Sequence, residues 1–217
     1  MAGSSSPGAK HAKTAREGDY RRHPVQTRGQ RSVRKILDAT LEIIVEDGLP
    51  GLNTNRVAKR AGVNVATVYS YFPDKISILR QLAKEFEEKR GDYVADHARL
   101  LPTTPDWKHW FDEVIDRLVL FRLEEPGAVE LRRAVMSSPD LKYLDDDSTD
   151  RAVESNLPGL MAHGRALRER QARVISRVVA VTITAMIDSA FMVDPYAEEQ
   201  IGELKSMIGS YLALHLD

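Results

Sequence analysis

Residues 54–75 read TNRVAKRAGVNVATVYSYFPDK. Two short helical segments meet there at Ala61-Gly62-Val63-Asn64. Thr54 can cap a helix that runs to Ala61, and Gly62 can take the positive φ that ends it. Asn64 can cap a second helix that runs to Phe72, before Pro73 closes it. Ala58 is small where the two helices must approach, and Val57 and Val68 face one another across the turn. These are the demands of a helix-turn-helix, whose second helix lies in the major groove of DNA. A generic αα-hairpin makes the same demands. The second helix narrows the choice, because Val65, Ala66, Thr67, Tyr69, Ser70 and Tyr71 carry no charge where a solvated helix would show Lys and Glu. Small groups allow close approach to a groove, hydroxyls meet phosphates, and apolar atoms meet thymine methyls. Lys75 follows at the start of the next helix, where an ammonium and main-chain amides can hold one phosphate.

The helical period continues on both sides. Val33, Ile36, Leu37, Leu41 and Ile44 recur on one helix face, which stops at Gly48, Pro50 and Gly51. Asp74 is placed to cap a long helix reaching about Leu100, with Leu79, Leu82 or Ala83, and Phe86 on its buried face. Segments at Asp106–Glu124 and Ala128–Met136 follow, separated by Pro126-Gly127. An acidic loop, Asp145-Asp146-Asp147, precedes a stretch that Pro158 must start, kink or split. Gln171–Val193 is apolar almost all round and needs partners on several sides. Asp194-Pro195 supplies a cap and a first-turn proline for the last helix. Strand-like alternation is absent, so the fold class expected is all-α.

At 217 residues the chain suits one compact domain, or two small ones sharing a helix. With no cysteine, disulfides, thiolate nucleophiles and Cys-ligated zinc are excluded together. No apolar run approaches the ~18 residues of a membrane span. The polar stretch Met1–Lys13 holds no signal-peptide core, so a cytoplasmic protein without a membrane partner is expected. The net charge of −1 conceals an asymmetry: residues 1–90 hold 17 Lys and Arg against 10 Asp and Glu, whereas residues 91–217 hold 14 against 22. A basic part facing a polyanion fits that split. Residues 1–26 are too poor in apolar groups to offset their ordering entropy and read as a disordered basic tail. That tail is either a plain extension or an arm that follows DNA phosphates. His97, His109 and His163 lack partners at metal-ligand spacing. A phosphate-binding glycine loop and a nucleophile–base pair are also missing, so neither metal, cofactor nor enzymatic activity is expected. An all-α enzyme using a bundle cavity is the rival reading from another class.

From Arg34 to Leu82 the chain resembles the DNA-binding domain of the TetR family of bacterial transcriptional regulators. The matching residues are Ile36-Leu37-Asp38-Ala39, Glu46-Asp47-Gly48, Thr54, Val57-Ala58, Ala61-Gly62-Val63, Thr67-Val68-Tyr69, Tyr71-Phe72, Lys75 and Leu79. Departures occur at Ile44 or Val45, where many members carry an aromatic residue, and at Ile76, where many carry a negative one. The resemblance implies an N-terminal three-helix DNA-binding domain at 27–73 and a C-terminal helical ligand-binding and dimerisation domain at 74–217. Residues 74–100 would form the connecting helix. It also implies repression relieved by a small-molecule inducer. Activation, or DNA binding without a ligand, stands as the alternative. Carried over by position, Thr54 caps helix two and touches phosphate, and Asn55 is a neighbouring DNA contact. Val65, Ala66, Thr67, Tyr69 and Tyr71 occupy recognition-helix positions, and Lys75 meets a phosphate. Arg56 and Ser70 complete the candidate DNA-binding set. The recognition helix has neither Arg nor Asn, so bidentate base readout is limited, and DNA shape can contribute.

A single helix-turn-helix presents little surface, so a homodimer on a palindromic double-stranded operator is expected. Ile187, Phe191, Met207, Ile208 and Tyr211 are the candidate seam, with small residues such as Ala185 and Ser189 permitting close approach. Trp110, Val114, Phe121, Leu131, Val135, Met136, Met161 and Met186 are candidates for lining an inducer cavity. A Met and aromatic stripe at helical spacing is more often plain core.

Overall fold

The computed structural model describes residues 27–141, 143–193 and 195–217; the basic tail at 1–26 lies outside the described residues. Those residues form helices joined by short turns, and no strand occurs among them. The order is α1 (Thr27–Asp47), α2 (Thr54–Ala61), α3 (Val65–Tyr71), α4 (Lys75–Ala98), α5 (Trp107–Glu124), α6 (Ala128–Met136), α7 (Tyr143–His163), α8 (Glu169–Ala190) and α9 (Glu198–Leu212). Single 3-10 turns stand at Leu49–Gly51 and Pro139–Leu141.

Two apolar cores organise the molecule. The first gathers Val33, Ile36, Leu37 and Ile44 of α1, Val57 and Ala58 of α2, Val68 and Phe72 around α3, and Leu79 and Leu82 of α4. It does not end with these helices: Phe121 of α5 and Leu131 and Val135 of α6 complete it. The second core lies between α5, α8 and α9, where Trp110, Ile115, Ile183, Ile187, Leu204 and Ile208 interlock. The long helix α4 joins the two, packing against α1 at one end and against α5 and α7 further along.

Local chemistry sets most boundaries. Asp74 closes a capping box at α4: its carboxylate accepts from Ser77 N at 2.7 Å, and Ser77 Oγ accepts from Asp74 N at 3.3 Å. Two of the boundaries that differ from expectation lie in the C-terminal half. The Asp145-Asp146-Asp147 run lies within α7, not in a loop before it, since negative charge near a helix N-terminus is favourable. Helix α7 keeps Pro158 inside it, so of the expected alternatives the proline neither starts nor splits the helix; packing along α8 outweighs the one missing backbone hydrogen bond. The last helix starts at Glu198, not at Pro195, and Asp194, its expected cap, lies outside the described residues. Ala197 N donates to Ala190 O at 3.0 Å and Tyr196 stacks on Phe191 at 4.9 Å, tying the connection to the end of α8 before the helix can begin.

Candidate nucleic-acid interface and ligand cavity

The turn between α2 and α3 is fixed by backbone chemistry. Gly62 sits at φ 63°, ψ 36°, the left-handed region that glycine enters without strain. Its N–H donates to Lys59 O at 3.3 Å, and Val63 N donates to Ala58 O at 3.0 Å. This double closure is a Schellman motif. Asn64 then caps α3 by accepting from Ala66 N at 2.8 Å. The cap of α2 is Asn53, whose side chain accepts from Arg56 N at 2.9 Å. Thr54, expected as that cap, is instead the first helical residue, and its hydroxyl lies 2.9 Å from Tyr69 Oη. That bond links α2 to α3 and leaves the Tyr69 ring exposed.

The candidate contacts fall into three groups. Asn55, Ala66, Tyr69 and Ser70 are exposed, and Thr54 and Thr67 are partly so. Together they form an uncharged surface of small and hydroxyl-bearing groups. Val65 and Tyr71 are half-buried and pack against the first core, which seats α3 on α1 and α2. Arg56 and Lys75 are engaged by the protein itself. Arg56 pairs with Glu46 at 3.5 Å and with Asp47, and it also reaches Gly51 O at 3.4 Å. Lys75 Nζ donates to Leu52 O at 3.2 Å, bracing the loop before α2. Arg60 binds Glu42 and Glu46 from the same face of α2. Its hydrogen bond holds the Glu46 carboxyl below the usual carboxylate range.

A cavity of about 230 Å³ opens between α4, α5, α7 and α8. Trp110 and Val114 line it, together with Val94, Leu118 and Ile183. The other candidates lie elsewhere. Phe121, Leu131 and Val135 belong to the first core and flank only a void of about 20 Å³. Met136 and Met161 point toward solvent, and Met186 packs against the second core with its carbonyl accepting from Gln200. Periodicity identified inward faces but could not say which core each face would join.

Sequence reasoning missed the charges behind the cavity. Glu87 and Arg90 line it, and Arg90 donates to Glu87 at 2.6 Å and to Ser148. Deeper in, Arg122 and Arg132 both grip Asp188, at 2.9 and 2.6 Å. Burial opposes ionisation of Glu87, but Arg90, Ser148 and Arg132 outweigh it and lower its pKa. Folding therefore gains from that charge at neutral pH, and the gain is lost as acid titrates the group below the ordinary carboxylate range. A lone Asp inside the apolar run of α8 was the available signal. Among the described residues, no group of three or more His, Asp or Glu is placed to hold a metal ion, and no helix is long and apolar enough to cross a membrane.

The expected dimer seam divides. Ile187, Phe191 and Ile208 are buried in the chain's own second core, and Tyr211 is half-buried. Met207 is 46% exposed. Val174, Val178 and Val181 of α8 form a solvent-facing apolar stripe, each 45% exposed or more. The larger side chains of these helices are drawn inward by α5, leaving the valines outside.

Comparison with known proteins agrees with this architecture. The family model for bacterial regulatory proteins of the tetR family matches residues 36–82, and that of the tetracyclin repressor-like C-terminal domain matches residues 106–212. The HTH-type transcriptional repressor KstR of Mycolicibacterium smegmatis is 44% identical over 154 residues, covering 69% of this chain and 74% of that protein. KstR of Mycobacterium tuberculosis is 32% identical over 154 residues, 69% of this chain and 68% of that protein. A TetR-family transcriptional regulator from Streptomyces coelicolor superposes with a TM-score of 0.63 at 26% identity, covering 85% of this chain and 99% of that one. The helix-turn-helix, the connecting helix and the second helical core therefore belong to a DNA-binding transcriptional regulator and not to an enzyme: the chain is a member of the tetR family of bacterial regulatory proteins.

Proposed function

We propose that the protein is a homodimeric repressor that grips a palindromic operator with α3 and releases it when a small molecule occupies the cavity between α4, α5, α7 and α8. The observation that carries this reading is the uncharged, exposed face of α3, held at a rigid turn and projecting Ala66, Tyr69 and Ser70. Such a face suits a groove and is poorly suited to plain solvation. The repressor names of the KstR relatives support the sign of regulation. Thr54, Asn55, Thr67 and the Tyr69 hydroxyl serve as positioning contacts. Arg56 and Lys75, already engaged within the protein, brace the reading head.

Selection of bound fragments from random duplex DNA tests the reading. A two-fold consensus is expected, with half-sites about 10 bp apart or a multiple of it, bound in a salt-sensitive manner. A monomeric protein without duplex preference would overturn it.

The valine stripe of α8 supports pairing through α8 and α9, and Met207 of α9 is also exposed. Val178→Glu places a charge at the centre of that stripe. Sedimentation velocity is expected to show a monomer, with operator affinity reduced at least tenfold and helicity unchanged, since an exposed Glu is a good helix former. A dimer of wild-type stability would remove α8 from the interface.

Ligand and DNA are coupled through α4, which contributes Arg90, Gly91 and Val94 to the cavity and Leu79 and Leu82 to the first core. A ligand that favours the DNA-incompetent separation of the two α3 helices by ~1–3 kcal/mol lowers operator affinity roughly 5- to 150-fold.

A further inference from the structure

The cavity runs lengthwise between α4 and α7, with polar groups at its two ends. Arg90 donates to Ser148 near the start of α7, whereas Gly159, further along α7, packs against Leu101 just past the end of α4. Asn156, about two turns beyond Ser148, therefore lies toward Ala98. Trp110 stands at that same end, since its indole N–H donates to His97 O at 2.8 Å. Thr184 stands at the opposite one, where it borders a small void with Arg90, Ser148 and Thr149. Between the ends the lining is apolar: Val94 on α4, Val114 on α5 and Ala152 on α7. The neutral hydrogen-bonding groups at the ends are open. Thr149 and Thr184 at one end and Asn156 at the other are half-buried, and none of these side chains has a hydrogen-bond partner among the described residues. The ionic groups are closed or outside, because Glu87 and Arg90 bond each other at 2.6 Å and Arg151 is exposed. A charge carried inside would lose its hydration with only paired groups to receive it, whereas a neutral oxygen can be hydrogen-bonded at either end.

We propose that the cavity takes an uncharged, elongated molecule, apolar along its body and bearing an oxygen function at each end, one met by Thr149 and Thr184 and the other by Asn156. This ligand class rests on the reading of the cavity as the inducer site. A threonine hydroxyl donates and accepts, and the Asn156 amide offers donors and an acceptor, so hydroxyl and carbonyl oxygens are received alike. Thr149, Ala152 and Asn156 recur at three- and four-residue intervals on one face of α7. The helix itself therefore sets the spacing between the two oxygens, at about 10 Å. A few placed polar groups in an apolar cavity fix a ligand's orientation. Here they also fix its length, because a molecule with one oxygen satisfies one end and leaves the other unpaired.

Four probes of one chain length separate the ends from the body: octanol, the octane diol with a hydroxyl on each terminal carbon, octanoate and octylamine. Each is titrated below its aggregation limit into the full-length protein. Trp110 lines the cavity, so its fluorescence reports occupancy directly. In a plainly apolar cavity the second hydroxyl would weaken binding about tenfold or more, because it is buried without a partner. Here the diol is expected to bind at least as tightly as octanol, and both charged probes more weakly than octanol. Asn156→Leu, of similar size and a good helix former, is expected to reverse the order of the alcohols. It should weaken the diol about tenfold and leave octanol almost unchanged, because the single hydroxyl takes the threonine end. Octanol tighter than the diol in wild type, a charged probe as tight as octanol, no binding of the diol, or an order unchanged by Asn156→Leu would each overturn the proposal. The wild-type comparison decides the matter even if the variant folds poorly. Operator release, read in parallel by anisotropy of a labelled duplex, separates the two claims. Diol binding in the expected order that leaves the operator complex intact supports this ligand class and overturns the inducer role. Release by octanoate or octylamine alone supports the inducer role and overturns this ligand class.

Discussion

Asp188→Ala is expected to cost about 3–5 kcal/mol of folding stability, the usual loss when one partner of a buried ion pair is removed. The carboxylate is 4% exposed and is the shared acceptor for Arg122 from α5 and Arg132 from α6. Both guanidiniums are themselves about nine-tenths buried, so alanine removes a counter-charge that two cations share. For a chain of this size the midpoint of thermal unfolding is expected to fall roughly 6–20 °C, measured by circular dichroism. Asp188→Asn keeps the shape and one acceptor and is expected to fall between wild type and alanine. The exposed pair of Arg173 with Glu169 provides the contrast, because Arg173→Ala should leave the transition unmoved. An Asp188→Ala protein as stable as that control would show that the three charges are not mutually dependent.

Ala66→Glu is expected to leave the fold intact while reducing operator affinity about 100-fold or more. The position is exposed near the start of α3, where its amide already donates to Asn64. A carboxylate in the first turn of a helix interacts favourably with the helix dipole, so thermal stability should hold or rise slightly. Against a phosphate-lined groove the same charge is repelled, and like charges brought together at an interface cost several kcal/mol. Anisotropy titration of the selected duplex measures the affinity, with the unfolding midpoint as the control. Unaltered binding would remove the N-terminal half of α3 from the DNA surface. Affinity and stability that fell together would mean a damaged head and not a repelled one.

The reading head was legible in the sequence because its determinants are local. Gly62, Asn64 and Asp74 each act within a few residues of themselves, so the turn, the start of α3 and the start of α4 follow from short-range capping chemistry. The cavity was not legible in this way. Trp110 and Phe121 belong to the same helix and show similar spacing, yet one lines the cavity and the other joins the first core. That choice is made by α4, α6 and α8, which the spacing does not register. The Arg122–Asp188 and Arg132–Asp188 contacts bridge 66 and 56 residues and arise only on folding. The split of the expected seam has a related reason. Side-chain size suggested Ile187 and Ile208, but large groups are what the subunit's own core takes first, and the smaller valines of α8 remain outside.

Helix α6 lends Leu131 and Val135 to the core beneath the helix-turn-helix, and Gly127 at its entrance sits so close to α1 that an added Cβ would lie 2.6 Å from Leu41 Cδ1. Chimeras joined at residue 74 would therefore cut through a hydrophobic seat. A transplanted head would lose part of its floor, and the recipient body would expose the patch meant to fill it. Operator specificity exchanged between relatives of this protein should travel intact only when the facing surface of α6 is exchanged as well.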